Sequence, residues 1–206
     1  MKLIVNEIFY SLQGEGGRAG EASVFIRLTK CNLACSFCDT DFADGDEMSV
    51  DEILEAISVY PCKWIIWTGG EPTIQLRDAH LAVFREHGYK QAIETNGTRR
   101  VPSLIDYITC SPKQDYETIK NRIPFVHEIR MPIQAGDPVP DISIFPQADN
   151  YFLSPVFDAD KINAENVAYC VELIKQHPQW RLSLQTHKLI HSYYSICISS
   201  VSYTHL

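Results

Sequence analysis

Residues 23–40 read SVFIRLTKCNLACSFCDT. A run of β-branched and aromatic residues, Ser23 to Leu28, gives way to a polar pair and then to Cys31, Cys35 and Cys38, three thiols inside eight positions. Such a run has the composition of a strand, so the thiols stand in a loop just past a strand's C-terminal end. Three thiolates in one loop can wrap one metal centre. A structural zinc wants four ligands, commonly as two pairs. No second Cys or His pair has matching spacing here, so zinc would need His80, His87 or a distant cysteine recruited through the fold. A four-iron cluster held by three thiolates leaves one iron with an open coordination site, which is a place for chemistry. With seven cysteines in the chain, this spacing arises by chance in on the order of one chain in a hundred.

Seven is an odd count, and Met1 to Glu7 lacks the apolar core and cleavage site of a secretory signal. No apolar run approaches membrane-spanning length. These features imply a cytoplasmic, reducing setting, in which clustered thiols serve metal or redox chemistry rather than a disulfide framework. Cys62, Cys110 and Cys170 sit among apolar neighbours and read as small core residues. The formal charge of -8 argues against a nucleic-acid surface, which normally presents a basic face. An anionic ligand would have to be met by a few placed cations.

At 206 residues, 45% hydrophobic and 21% charged, the chain reads as one domain. Strand-like runs recur at Leu3 to Phe9, Ser23 to Leu28, Trp64 to Thr68, Gln91 to Thr95, Asp106 to Cys110, His127 to Met131, Tyr151 to Ser154 and Arg181 to Gln185. Helical patterns lie between several of them. The clearest is Ser49 to Val59, where Ser49 and Glu52 form a capping box ahead of Ile53, Leu54 and Ile57. Others run from about Asp78 to His87 and from Ala164 to Gln176. Strand, helix, strand implies parallel pairing. Thr68-Gly69-Gly70-Glu71-Pro72, Glu94-Thr95-Asn96-Gly97 and Ser111-Pro112-Lys113 each follow a strand, at the edge where parallel α/β folds bind ligands. A closed eight-fold barrel takes about 250 residues, and the later connections look too short for a helix each. The expected fold is α/β, an incomplete, open parallel β/α barrel.

Cys31, Cys35 and Cys38, with Phe37 before the third thiol, resemble the signature loop of the radical S-adenosylmethionine (SAM) superfamily, and Thr68 to Pro72 resembles its second motif. The resemblance implies that the three cysteines hold a [4Fe-4S] cluster whose fourth iron binds SAM. Phe9 to Gly16, Phe25 to Leu28, Cys38-Asp39-Thr40, Ile93 to Gly97, Ser111 to Lys113 and Trp180 to Lys188 are together similar to the 7-carboxy-7-deazaguanine synthase family of queuosine and deazapurine biosynthesis. The similarity runs from about residue 3 to about residue 190.

That family implies a radical ring contraction of 6-carboxy-5,6,7,8-tetrahydropterin with loss of ammonia. It also implies a magnesium ion, with Thr40 at the matching ligand position; a hard cation with one protein ligand needs substrate oxygens and water to complete its shell. By position, Leu12, Gln13, Gly14 and Thr68 contact the pterin. Arg27 meets its carboxylate with a planar fork, and Gln13 and Arg27 are the expected catalytic pair. Phe37, Cys38, Asp39, Gly70, Ser111, Pro112, Lys113 and, within Pro155 to Asp158, Asp158 form the expected cofactor site. Glu94 and His187 are further candidates. An external reductant such as a flavodoxin or ferredoxin and a homodimer are implied, with no nucleic-acid or membrane partner. The competing readings are a short activase that places a radical on a partner protein and a non-enzymatic iron-sulfur or zinc module. Leu12 to Gly16 speaks against the first, and the lack of a nearby fourth cysteine against the second.

The resemblance ends near residue 190. Leu189 to Leu206 has no Lys, Arg, Asp or Glu, unlike all that precedes it. Residues 1–190 are therefore expected to form the domain and 191–206 a non-native or altered terminus. Truncation after Ile190 is expected to preserve or raise turnover of the pterin, measured by product mass; a clear loss would assign the tail a role.

Overall fold

The computed structural model describes residues 1–35, 44–113, 115–158 and 161–190. The described strands are β1 (Lys2–Leu12), β2 (Ala22–Leu28), β3 (Asp46–Ser49), β4 (Trp64–Gly69), β5 (Lys90–Thr95), β6 (Tyr107–Cys110), β7 (Phe125–Ile133), β8 (Gln147–Pro155) and β9 (Arg181–Leu182). The described helices are α1 (Val50–Ser58), α2 (Asp78–Glu86), α3 (Tyr116–Arg122), α4 (Ala164–Gln176) and α5 (Thr186–Leu189). One sheet contains all these strands in the order β3-β1-β2-β4-β5-β6-β7-β8-β9. Every pairing from β2 to β9 is parallel. The first two strands pair antiparallel, as a short loop between them permits, and β3 joins β1 antiparallel. The sheet stays open between β3 and β9, so the expected open barrel is the observed one.

Alternation sorts each strand's residues onto two faces. The outer face carries two apolar clusters. Val24, Ile26, Leu28, Ile65, Trp67 and Ile93 pack with Ile53 and Ile57 of α1 and Leu81 and Phe84 of α2. Ile129, Met131, Ile133 and Leu153 pack with Ile119 of α3, Cys170 of α4 and Trp180. The capping box at the start of α1 is formed: Glu52 N donates to Ser49 Oγ at 3.2 Å, and Ser49 N donates to Glu52 Oε2 at 2.7 Å.

Three expectations are corrected. Cys110 and Cys170 are buried, but Cys62 is half-buried and its thiol donates to the Ala22 carbonyl at 2.9 Å. Helix α3 appears in a connection expected to have none; it buries one side chain, Ile119, too few for a 3.6-residue pattern to register. The expected strand from Arg181 to Gln185 pairs only at Arg181 and Leu182, because the next residues turn inward to the barrel.

The inner face carries Phe25, Ile66 and Phe152 together with a set of polar and charged residues. Register places Arg27 beside Thr68, Glu94 beside Thr109, and Thr109 beside Glu128. The loop between β1 and β2 fills the space over this face. Gly16 N donates to Ser183 Oγ at 2.9 Å, Gly17 N to Glu128 Oε2 at 2.8 Å, and the Arg18 guanidinium lies 3.8 Å over the Trp64 ring. A side chain at Gly16 is excluded twice: its φ is +70°, and a Cβ would stand 2.2 Å from Glu128 Oε1. Gly20 has φ +88° with nothing within 4 Å. Gly20→Ala is therefore expected to cost about 1 kcal/mol in denaturant unfolding, for left-handed strain alone. Gly16→Ala should cost about 2 kcal/mol more, as Glu128 is displaced; equal losses would remove the close-approach argument.

Candidate active site

A cavity of about 260 Å³ opens at the C-terminal ends of the parallel strands. Successive strand ends wall it: Cys31 and Cys35 after β2, Thr68 to Gly70 at β4, Glu94 to Asn96 at β5, Ser111 and Lys113 after β6, Arg130 on β7, and Ser154 to Phe157 at β8. Glu15 enters from the β1–β2 loop, and Gln185 and Lys188 from around α5.

The root of the cysteine loop is bonded to the end of β4. Gly70 N donates to Leu28 O at 3.0 Å and Glu71 N to Lys30 O at 2.8 Å. A Cβ on Gly69 would lie 2.0 Å from Leu28 O, and one on Gly70 2.1 Å from Lys30 O. The two glycines are thus required by a backbone contact. Glu71 is fully buried and accepts from Thr73 N at 3.1 Å, Thr73 Oγ1 at 2.6 Å, Thr95 Oγ1 at 2.9 Å and Asn96 N at 2.7 Å. This carboxylate ties the end of β4 to the end of β5. Asn96 Nδ2 then donates to Asn32 Oδ1 at 3.2 Å, which fixes the residue following Cys31.

On the cavity floor one guanidinium serves three carboxylates. Arg130 reaches Glu15 at 2.9 Å, Glu94 at 2.8 Å and Glu128 at 3.0 Å. Gln13 Nε2 donates to Glu94 Oε1 at 3.0 Å, and Ser154 Oγ to Glu15 Oε1 at 3.0 Å. Burial, joined by the repulsion of Glu128 and Glu15, holds the Glu94 carboxyl above its ordinary value even though Arg130 opposes this. Burial depresses Lys113, whose surroundings include Cys35 and Glu15.

The structure brings Cys31, Cys35, Thr68, Gly70, Ser111 and Lys113 to the one cavity. Gln13 is buried behind it and reaches it through Glu94. Arg27 shares the inner face; its Nε donates to Glu7 Oε1 at 2.6 Å, and its other nitrogens make no hydrogen bond among the described residues. Gly14 packs against the His187 ring, and its carbonyl accepts from Thr186 N and Oγ1. Leu12 is exposed at the end of β1. Pro112 is buried beside the cavity rather than lining it. Asp158 pairs with Lys161 and accepts from Asn163, outside the cavity wall. Phe37, Cys38, Asp39 and Thr40 lie outside the described residues.

Glu15, Glu71, Glu128, Arg130 and Ser154 were not singled out by the sequence reading. Glu128 and Arg130 carried a usable signal: they alternate with Ile129, Met131 and Ile133. In a parallel sheet covered on both faces, charges alternating with core residues must point inside.

An open parallel barrel with paired thiols and a glycine cradle at its strand ends defines a cofactor-binding α/β enzyme fold, and the family model described as the radical SAM superfamily matches residues 25–176. A 7-carboxy-7-deazaguanine synthase of Bacteroides thetaiotaomicron is 45% identical over 90% of this chain and 96% of its own length. One from Haemophilus influenzae is 44% identical over 89% and 91%. The crystal structure of QueE from Escherichia coli shares the fold, with a TM-score of 0.70 at 24% identity over 89% of this chain and 94% of that one. The chain belongs to the 7-carboxy-7-deazaguanine synthase family of radical SAM proteins.

Membership implies a [4Fe-4S] cluster and SAM, and the residues present fit them. Cys31 and Cys35 place thiols on the cavity wall, soft donors suited to iron. The Gly69-Gly70 turn leaves backbone groups on the same wall, and Ser111 and Lys113 supply a hydroxyl and an ammonium on the next.

A raised carboxyl pKa means that the folded chain holds a proton the unfolded chain releases, so Glu94's contribution to stability falls as pH rises above the ordinary value of 4.5. Glu94→Gln is expected to flatten that decline in denaturant midpoints measured from pH 4.5 upward. An unchanged slope would show that Arg130 cancels the effect.

Proposed function

We propose that the chain converts 6-carboxy-5,6,7,8-tetrahydropterin to 7-carboxy-7-deazaguanine with loss of ammonia, as a lyase of queuosine and deazapurine biosynthesis. The observation that carries this is the cavity itself, with thiols and a glycine cradle on one wall and a hydrogen-bonding belt of Gln13, Glu94, Glu15 and Arg130 on the floor, in a chain 45% identical to a named synthase. The pterin has the composition of the product plus ammonia, so the net reaction needs no oxidant. When bound, the cluster and SAM supply the carbon-centred radical that removes hydrogen from C6.

The chain's own residues then bind, orient and shield. Glu7 holds Arg27 at Nε and leaves its terminal nitrogens to pair with the substrate carboxylate. Thr68, the register partner of Arg27, contacts the same ligand. Glu94, held neutral more readily than an ordinary carboxyl, can donate as well as accept along the pterin's amide edge. Leu12, Gln13 and Gly14, where β1 ends, are assigned to the pterin. Gly70, Ser111, Pro112, Lys113 and Asp158 are assigned to SAM with Phe37, Cys38 and Asp39. Cys31, Cys35 and Cys38 are assigned to the cluster, and Thr40 to magnesium. The reading includes an external one-electron reductant of the flavodoxin or ferredoxin class, a homodimer and a cytoplasmic site of action. No described helix is long and apolar enough to cross a membrane.

Anaerobic incubation with the pterin, SAM, reductant and magnesium is expected to yield the carboxydeazaguanine by mass. Finding stoichiometric zinc in a colourless, inactive protein would overturn the reading. Arg27→Ala should raise the apparent KM about tenfold or more, the worth of a charge-assisted pair; unchanged kinetics would remove its assigned role.

A further inference from the structure

Four of the chain's nine arginines border one groove: Arg77, Arg99, Arg100 and Arg122, all exposed, on a molecule of net charge -8. Asp78 is the one acid among the groove's described lining residues, and its carboxylate is committed to Leu104 N at 3.0 Å. Two of the arginines have structural duties. Arg77 donates to Leu76 O at 2.6 Å and Ile74 O at 3.1 Å, and Arg122 donates to Thr98 O. Arg99 and Arg100 make no hydrogen bond or ion pair among the described residues. In a chain with 26 acidic residues, guanidinium groups left facing water beside one another mark a surface kept for an anionic partner.

The groove is coupled to the cysteine loop. Asn32, next to Cys31, donates to Thr98 Oγ1 at 2.9 Å and accepts from Asn96 Nδ2 at 3.2 Å. Thr98 directly precedes Arg99. The arginine loop and the root of the cysteine loop are therefore one hydrogen-bonded unit on the same edge of the sheet.

We propose that this groove is the docking surface for the one-electron donor, an acidic protein carrying its redox group at an exposed edge. The proposal rests on the radical SAM reading, in which each reduction arrives from outside the chain. An acidic carrier is repelled by most of this molecule and attracted where four arginines cluster, so encounter is steered to the edge that holds the thiols. A long polyanion would run on beyond the four arginines of a chain whose net charge is -8.

The test uses the full chain with its cluster reconstituted, and oxidised flavodoxin as the probe. Affinity is measured at low and high salt for the unsubstituted chain, for Arg99→Glu/Arg100→Glu, and for Lys63→Glu/Lys175→Glu, two exposed lysines outside the groove, as a charge-matched control. The arginine double variant is expected to bind about tenfold or more weakly and to lose most of its salt dependence, while the lysine control binds as the parent. Turnover driven by dithionite should be unchanged in both, since neither touches the cavity. Equal binding by parent and arginine double variant, equal weakening by the control, or no measurable binding by the parent would overturn the docking surface. So would a transfer RNA whose binding is lost in the arginine double variant while flavodoxin binding stays. Absent dithionite-driven turnover in the parent would instead overturn the enzymatic reading, a result the binding comparison does not depend on.

Discussion

Arg130 is the group on which the site's geometry depends. Its guanidinium is almost fully buried and joins Glu15 of the β1–β2 loop, Glu94 of β5 and Glu128 of its own strand. Burying four ionisable groups is costly, and a buried ion cluster is poor evidence of net stability. Its effect is positional. Above the Gln13–Glu21 backbone pair the loop that plugs the open barrel has no strand ladder, and Glu15, with the Gly16 and Gly17 amides, fastens it inside. Removing the guanidinium would leave three carboxylates facing one another at short range and push Glu15 away from the floor.

A second constraint acts on the rim. Glu71 satisfies two backbone amides and two hydroxyls, and the Gly69-Gly70 turn lies against the carbonyls of Leu28 and Lys30. Hydrogen bonds and close backbone approach set the shape of the rim. This separates the two halves of the chain's stability: helices against the outer face supply burial, while polar contacts inside supply position.

The architecture was legible because its strands are short β-branched runs at regular spacing with polar clusters after them. Helix α1 was legible through its capping box. β3 was not, since Asp-Glu-Met-Ser has no strand composition and pairs only because β1 offers an edge. Of the site, the residues on strand ends could be found by position: Cys31, Cys35, Thr68, Gly70, Ser111 and Lys113. Glu15, Glu128, Arg130 and Ser154 come together from distant segments, and their pairing is decided by sheet order, which local patterns do not encode. Arg27 was legible through the family resemblance, but its bond to Glu7 follows from the antiparallel register of β1 and β2.

The link from Gly14 to Thr186 has a consequence for how the molecule comes into being. The two are 172 positions apart, and the Arg130–Glu15 and Ser154–Glu15 contacts span 115 and 139. Contacts so distant along the chain close late, after the loop entropy between them has been overcome. The N-terminal loop, made first on the ribosome, thus waits for nearly the whole polypeptide before it has anything to hold. Until then the outer-face core can assemble around an unfinished cavity, so competence for chemistry arrives as the last event of folding rather than with the fold itself.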